Sequence, residues 1–134
     1  MKRLAAAMFF ALGWPSLSAA SSCPSFAGRE WDLTGHLVNR IDPGPPDYRS
    51  VTSGDQPLVR WYLQLDWPAC FEEYRHLIRF QLALNPEEVE RYGQFLGKEI
   101  LVKGTLEEGV PGRDTTSLIV NVSSLVPHTA RDHY

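Results

Sequence analysis

The sequence predicts a mainly β fold, a small five-stranded barrel with one helix between strands 3 and 4. Three observations carry this. Strand-like alternation recurs in five segments and is heaviest in Leu58–Cys70. One segment with a helix-start signature stands between the third and fourth of them. A leader followed by two cysteines marks the remainder as a small exported domain.

The leader is set aside first. Lys2 and Arg3 give a positive n-region, Leu4–Leu12 is an apolar run too short to span a bilayer, and Ser18, Ala19 and Ala20 form a small-residue cleavage site. Charge, run and cleavage site in that order favour a secretory signal peptide over residues 1–20 rather than a core helix or a membrane anchor. Cleavage after Ala20 leaves 114 of the 134 residues, enough for one domain at residues 21–126 and a polar tail at 127–134. The expected location is the periplasm. A lipoprotein anchored at Cys23 is the alternative, but Ala20, Ser21 and Ser22 precede this cysteine, where a lipobox usually has Leu three residues before it.

Export gives the cysteines their meaning. Cys23 and Cys70 are an even pair for an oxidising compartment, so a disulfide is expected. The other reading, a redox or metal pair, lacks a Cys-x-x-Cys spacing. Charge bears on partners. The whole chain carries 13 basic and 16 acidic residues, and loss of Lys2 and Arg3 leaves 11 against 16, a net charge of −5. An acidic domain without a basic run disfavours nucleic acid and would steer toward a basic target.

The strands follow in order. Trp31–Val38 places Trp31, Leu33, Gly35 and Leu37 on one face, and Gly35 predicts a bulge or a sharp bend. Leu58–Trp67 places Val59, Trp61, Leu63, Leu65 and Trp67 inward, against Arg60, Tyr62, Gln64 and Asp66, with Pro68 ending the strand. Arg75–Leu84 reads as the third strand, with Ile78, Phe80 and Leu82 on one face. Its second face is also apolar, so a helix stays open there.

Asn85, Pro86, Glu87 and Glu88 start a helix over Pro86–Leu96: Asn85 caps, Pro86 suits the first position, and the glutamates sit at the positive end. Gly93 weakens this helix and Gly97 stops it. Glu99–Glu107 is the fourth strand. Thr116–Val126 is the fifth, with Leu118, Val120, Val122 and Ser124 on one face.

Three strands, a helix and two strands is the element order of an OB-like barrel, with another small barrel or an α+β sandwich as the alternative. Such barrels bind through the face of strands 2 and 3 and through the loops joining strands 1 to 2 and 4 to 5. Here those loops are Ile41–Pro57, which carries Tyr48, Arg49 and Val51 between prolines and glycines, and Glu108–Asp114. They are also the two most irregular stretches of the chain.

Several residues carry a resemblance. Thr34 to Val38, then Pro43 to Val51 and the pair Gly54 and Asp55, resemble an exported bacterial family defined only as a domain of unknown function. Its pattern is a T-G-x-L strand, a G-P-P-N-Y-E-S-V loop, a G-D pair and an aromatic strand. Val102 to Leu106 is similar to its second half. Asp47 stands where Asn is usual and Arg49 where Glu is usual, which reverses a charge. The resemblance covers most of the chain after the leader and implies no activity.

Catalytic chemistry is not legible. His36, His76, His128 and His133 lack metal-ligand spacing, Ser50 and Ser53 lack a nucleophile elbow, and the adjacent pairs Glu72, Glu73 and Glu87, Glu88 do not face each other across a substrate. With both cysteines bonded, no nucleophile is left, and no cofactor or metal is expected. A hydrolase using His76 with a carboxylate is the weakest of three readings.

The leading expectation is a non-enzymatic protein-binding module, an immunity or inhibitor protein that blocks a toxic enzyme acting in the envelope. Its binding residues are Asp47, Tyr48, Arg49 and Asp55 in the first loop and Arg113 in the second, Tyr and Arg being enriched at interface centres. Tyr48 either faces the partner or packs on its own barrel. The alternative is a small-ligand or glycan binder, for which Trp61, Tyr62 and Trp67 could offer stacking surfaces; Trp61 and Trp67 are expected in the core, which leaves Tyr62, on the other face, as the residue to watch.

Overall fold

The computed structural model describes residues 23–129. The signal peptide expected over residues 1–20, and the tail from 130 onward with His133, lie outside the described residues. The strands are β1 (Glu30–Pro43), β2 (Pro57–Phe71), β3 (Tyr74–Ala83), β4 (Glu99–Glu108) and β5 (Leu118–Pro127), with helix α1 (Pro86–Tyr92) between β3 and β4. They close in the order β1-β2-β3-β5-β4 and back to β1. Only β3 and β5 run parallel, over Gln81–Ala83 and Ile119–Asn121; every other pair is antiparallel. This is the expected OB-like barrel. The segment left open between helix and strand is strand β3.

β1 closes the ring by changing partners. Glu30–His36 pairs with β4 and His36–Pro43 with β2. Gly35 sits at the changeover. The register runs unbroken through it, so it is not a bulge. It is a site of close approach, where a Cβ would stand 2.3 Å from the Gln64 carbonyl oxygen. Gly104 plays the same part on β4, with Asn121 O 2.2 Å from a would-be Cβ. Beside it the β4–β5 register shifts, leaving Ser123 as the extra residue. Beyond that bulge the inward residue is Leu125, and Ser124, expected inward, is exposed.

The core is filled by Leu37, Leu63, Phe80, Ile100, Val102, Leu118 and Val120, all fully buried, with Trp61, Leu82 and Leu106 around them. α1 begins as expected: Glu88 N donates to Asn85 Oδ1 (2.8 Å) and Asn85 N to Glu88 Oε1 (3.1 Å), a reciprocal cap. It ends earlier than Leu96. After Tyr92 a 3-10 turn, Gly93–Phe95, takes over, consistent with the poor helix propensity of Gly93. Tyr92, Val89 and Phe95 carry this segment onto the core.

Strand β2 departs from strict alternation at both ends. Its first residues project beyond β3, whose ladder with β2 starts only at Trp61 and Leu82, so Val59, expected inward, is half exposed. Between Gln64 and Ala69 the register breaks; Leu65 still packs against the core, while residues 66–68 are exposed. Trp67, expected in the core, is therefore 83% exposed. Pro68 does not end the strand, because within the bulge no ladder donor is needed, and β2 continues to Phe71.

Cys23 and Cys70 form the expected disulfide, with Cα atoms 5.3 Å apart. It fastens the residues before β1 to the end of β2, where Phe26, Trp31 and Phe71 pack edge-on. A sulfur in this bond is not free to carry a lipid, which removes the lipoprotein alternative for the disulfide-bonded form. No helix among the described residues is long and apolar enough to cross a membrane. At the other end of the chain, His128 N donates to Glu99 O (2.9 Å), so the start of the expected tail is held against β4.

Candidate binding face

The loop between β1 and β2, residues 44–56, is built around its own aspartate. Asp55, almost fully buried, accepts the backbone N–H of Asp47 (2.9 Å), Arg49 (2.8 Å) and Ser50 (2.9 Å). Three donors to one carboxylate favour its charged form. The N–H groups of Ser50, Asp47 and Arg49, in that order of weight, hold its pKa below the ordinary carboxylate value, against the opposing effect of burial. The base of the loop is closed by Gly44 N to Gln56 O (2.7 Å) and Gln56 N to Pro45 O (2.8 Å). Pro45–Pro46 is cis, and a short 3-10 turn at Val51–Ser53 returns the chain through Gly54.

This scaffold holds Tyr48 at φ +57°, a left-handed conformation unusual for an aromatic residue. Tyr48 is half-buried, with the Arg60 guanidinium 6.0 Å from its ring centroid. The ring leans over its own barrel and also lines the groove described below. Asp47 and Arg49 are exposed at the tip.

The loop between β4 and β5 mirrors this construction. Asp114 accepts Val110 N (2.7 Å), and Arg113 Nη2 lies 3.1 Å from its Oδ2. Burial works against the charge of Asp114, yet Val110 N–H, Arg113 and Gln81 together hold its pKa below the usual value. Arg113, paired to it, is shifted up. Arg113 itself is about half exposed.

Both loops close over a buried polar cluster on the outer face of β2. Arg60 Nη1 donates to Gln81 Oε1 (3.0 Å) and lies 3.6 Å from Asp114 Oδ1, and Nη2 donates to the Arg113 carbonyl. Arg60 Nε is 3.7 Å from Asp42 Oδ2, an ion-pair contact without a hydrogen bond. Tyr62 donates to Asp42 Oδ2 (2.6 Å) and is bonded to Thr115 Oγ1. Desolvation, followed by the Asp42 hydrogen bond, raises its pKa. Charges this deeply buried must be paired and hydrogen-bonded to persist, and Asp42, Gln81 and Asp114 supply the partners.

Between the loops lies an open groove of about 260 Å³, lined by Tyr48, Leu58, Arg60, Gln81, Glu107 and Arg113 among others. Of the sequence-predicted residues, Tyr48 and Arg113 come together here, while Asp47 and Arg49 stand at the tip of the first loop. Asp55 is not presented to a partner; its carboxylate is consumed inside the loop. Tyr62 is not a stacking surface: the side chain is fully buried, with the Arg79 and Arg40 guanidinium groups 5.0 Å and 5.8 Å from its ring centroid and Thr115 bonded to its hydroxyl.

Sequence reasoning missed Asp42, Arg60, Gln81 and Asp114. Alternation assigned Arg60 and Tyr62 to the outer face, which is right. What alternation does not report is that an outer face can be roofed by loops. The available signal was two acids, Asp42 and Asp114, in Pro/Gly-rich loops flanking a central-strand arginine. His76, exposed and at φ +57° near the start of β3, lies apart from this face, beside the disulfide.

Comparisons of this chain with protein-family models, with curated proteins and with solved structures found no match.

Proposed function

We propose that this protein is an exported, non-enzymatic binding module that docks a protein partner through the face made by loops 44–56 and 109–117. More narrowly, it is an inhibitor or immunity protein that occupies an envelope-acting enzyme. The observation that carries the reading is the Asp55 hub. A loop whose backbone is fixed by three hydrogen bonds to one buried carboxylate presents Asp47, Tyr48 and Arg49 already ordered, so little conformational entropy is lost on binding. Arg113 stands across the groove from Tyr48, and both residue types are frequent energetic anchors of interfaces.

The Cys23–Cys70 disulfide supports the exported setting, since such bonds persist in oxidising compartments. The periplasm, the signal peptide and membership in the resembled family belong to the same proposal. The glycan-binding reading loses Tyr62 and Trp61, which are buried, as stacking surfaces, and rests on the exposed Trp67 alone.

The test is capture with tagged protein comprising residues 21–134 from envelope extract, followed by affinity measurement on whatever partner is recovered. A single stoichiometric enzyme, bound at least about tenfold more weakly by the Tyr48→Ala, Arg49→Ala double variant, supports the proposal. A partner bound equally well by that variant overturns the choice of surface. The recovery of no protein partner moves the function to a small ligand.

A further inference from the structure

We propose that Trp67 and the carboxylates beside it form a second docking surface, at the opposite end of the barrel, for an arginine or lysine side chain of a protein partner. This goes beyond the loop face and stands on different residues.

The placement follows from the strands. β4 runs from Glu99 to the second loop at Glu108, and β2 runs from the first loop at Pro57 toward Trp67. Glu99 and Trp67 thus lie at the strand ends remote from both loops. The two residues line one pocket of about 380 Å³, together with Asp32, Leu65 and Asp66.

The exposure of Trp67 is built, not incidental. It rides the bulge at residues 65–68, where four β2 residues stand against the single β3 position Ile78, itself 55% exposed. Regular alternation would have turned the indole into the core. A tryptophan held 83% exposed at a strand bulge is an open apolar contact surface.

The chemistry of the occupant follows from the surroundings. Three carboxylates, Asp32, Asp66 and Glu99, line the same pocket as the indole, together with His128, and Asp66 Oδ1 lies 3.1 Å from His36 Nδ1. An indole face attracts cations through its quadrupole, more strongly than the ring of Tyr or Phe. This chain already uses that contact elsewhere: Arg29 lies 3.7 Å from the Trp31 ring centroid, and arginines also stand over Tyr48, Tyr62 and Tyr92. Among the described residues no arginine lies over Trp67. An acidic pocket with an open indole is complementary to a basic side chain supplied from outside, and the negative charge of the chain steers a basic partner toward it.

The experiment is an NMR titration of isotopically labelled protein with acetyl-tetra-arginine amide. The citrulline peptide, similar in shape but uncharged, and the glutamate peptide are controls. The Trp67 indole N–H is assigned by its loss in Trp67→Ala, and the amide spectrum of that variant checks its fold. The expected result is a saturable shift of this resonance with the arginine peptide only. Affinity is expected to fall about fivefold in Trp67→Ala and in Asp66→Asn, Glu99→Gln, and to fall with added salt. A resonance unmoved by the arginine peptide, moved equally by citrulline, or an affinity unchanged in Trp67→Ala overturns the proposal. The Tyr48→Ala, Arg49→Ala variant is expected to titrate like the wild type, which separates this surface from the loop face.

Discussion

Tyr62 donates its phenolic proton to Asp42 across the β1–β2 ladder at 2.6 Å, and both side chains are buried. The bond turns the outer face of β2 into an interior. Asp42 also takes Arg40 Nη2 at 3.2 Å and faces Arg60, so one carboxylate gathers three residues beneath the second loop.

Tyr62→Phe keeps the ring and removes only the hydroxyl. It leaves a lone pair of Asp42 and the Thr115 hydroxyl without this partner. Loss of a buried charge-assisted bond predicts destabilisation of about 1–3 kcal/mol, read as a lower urea midpoint at unchanged m-value.

Asp55 makes the first loop acid-sensitive. Its folded pKa lies below its unfolded value, so its contribution is complete above the unfolded carboxylate value, about 3.9, and is lost as pH falls through the folded value. Amide exchange at Asp47, Arg49 and Ser50 is the measurement. Protection relative to the β-sheet amides is expected to hold near neutrality and to collapse in acid. In Asp55→Ala these three amides are unprotected at every pH.

The disulfide closes a sequence separation of 47 residues, for which the chain-entropy relation gives roughly 4 kcal/mol. The Cys23→Ser, Cys70→Ser variant, or the reduced wild type, is expected to lose stability of that order in chemical unfolding. A loss well below it would mean that residues 23–29 contribute little beyond their own packing.

Gly35→Ala tests the β1 changeover. A methyl group 2.3 Å from a backbone carbonyl cannot be relieved by a rotamer change, so β1 or β2 must move. The expected cost is about 1–3 kcal/mol or more, with the exchange of amides near Gln64 accelerated. Ala at the neighbouring Thr34 or His36 is the control.

The order of elements was legible because each leaves a local trace. Period two marks Leu58–Leu65, and Asn85 with Glu88 marks the start of α1. The disulfide followed from counting cysteines in a chain whose first residues predict export. The places where the reading failed are non-local. Nothing between Gln64 and Ala69 announces that β3 will offer only Ile78 against four residues, so Trp67 was assigned inward. Asp55 looked like a ligand-facing acid because its three donors converge only once the loop is folded. Tyr62 looked available because the groups that cover it come from other elements: Arg40 on β1 and Arg79 on β3 over its ring, and Thr115, more than fifty positions later, at its hydroxyl.

The divided pairing of β1 has a consequence for how the chain assembles. His36–Pro43 meets β2 across a hairpin, but Glu30 must wait for Thr105, seventy-five residues later, before its half of the strand has a neighbour. Loop closure of that length is entropically slow compared with hairpin formation. The barrel therefore cannot seal until β4 has been delivered, and until then β1 keeps a raw edge beside Leu33 and Leu37. A chain passed through a membrane N-terminus first would stay unsealed until its last strands emerged. It would fold late, on the far side, with β1 as the strand that waits.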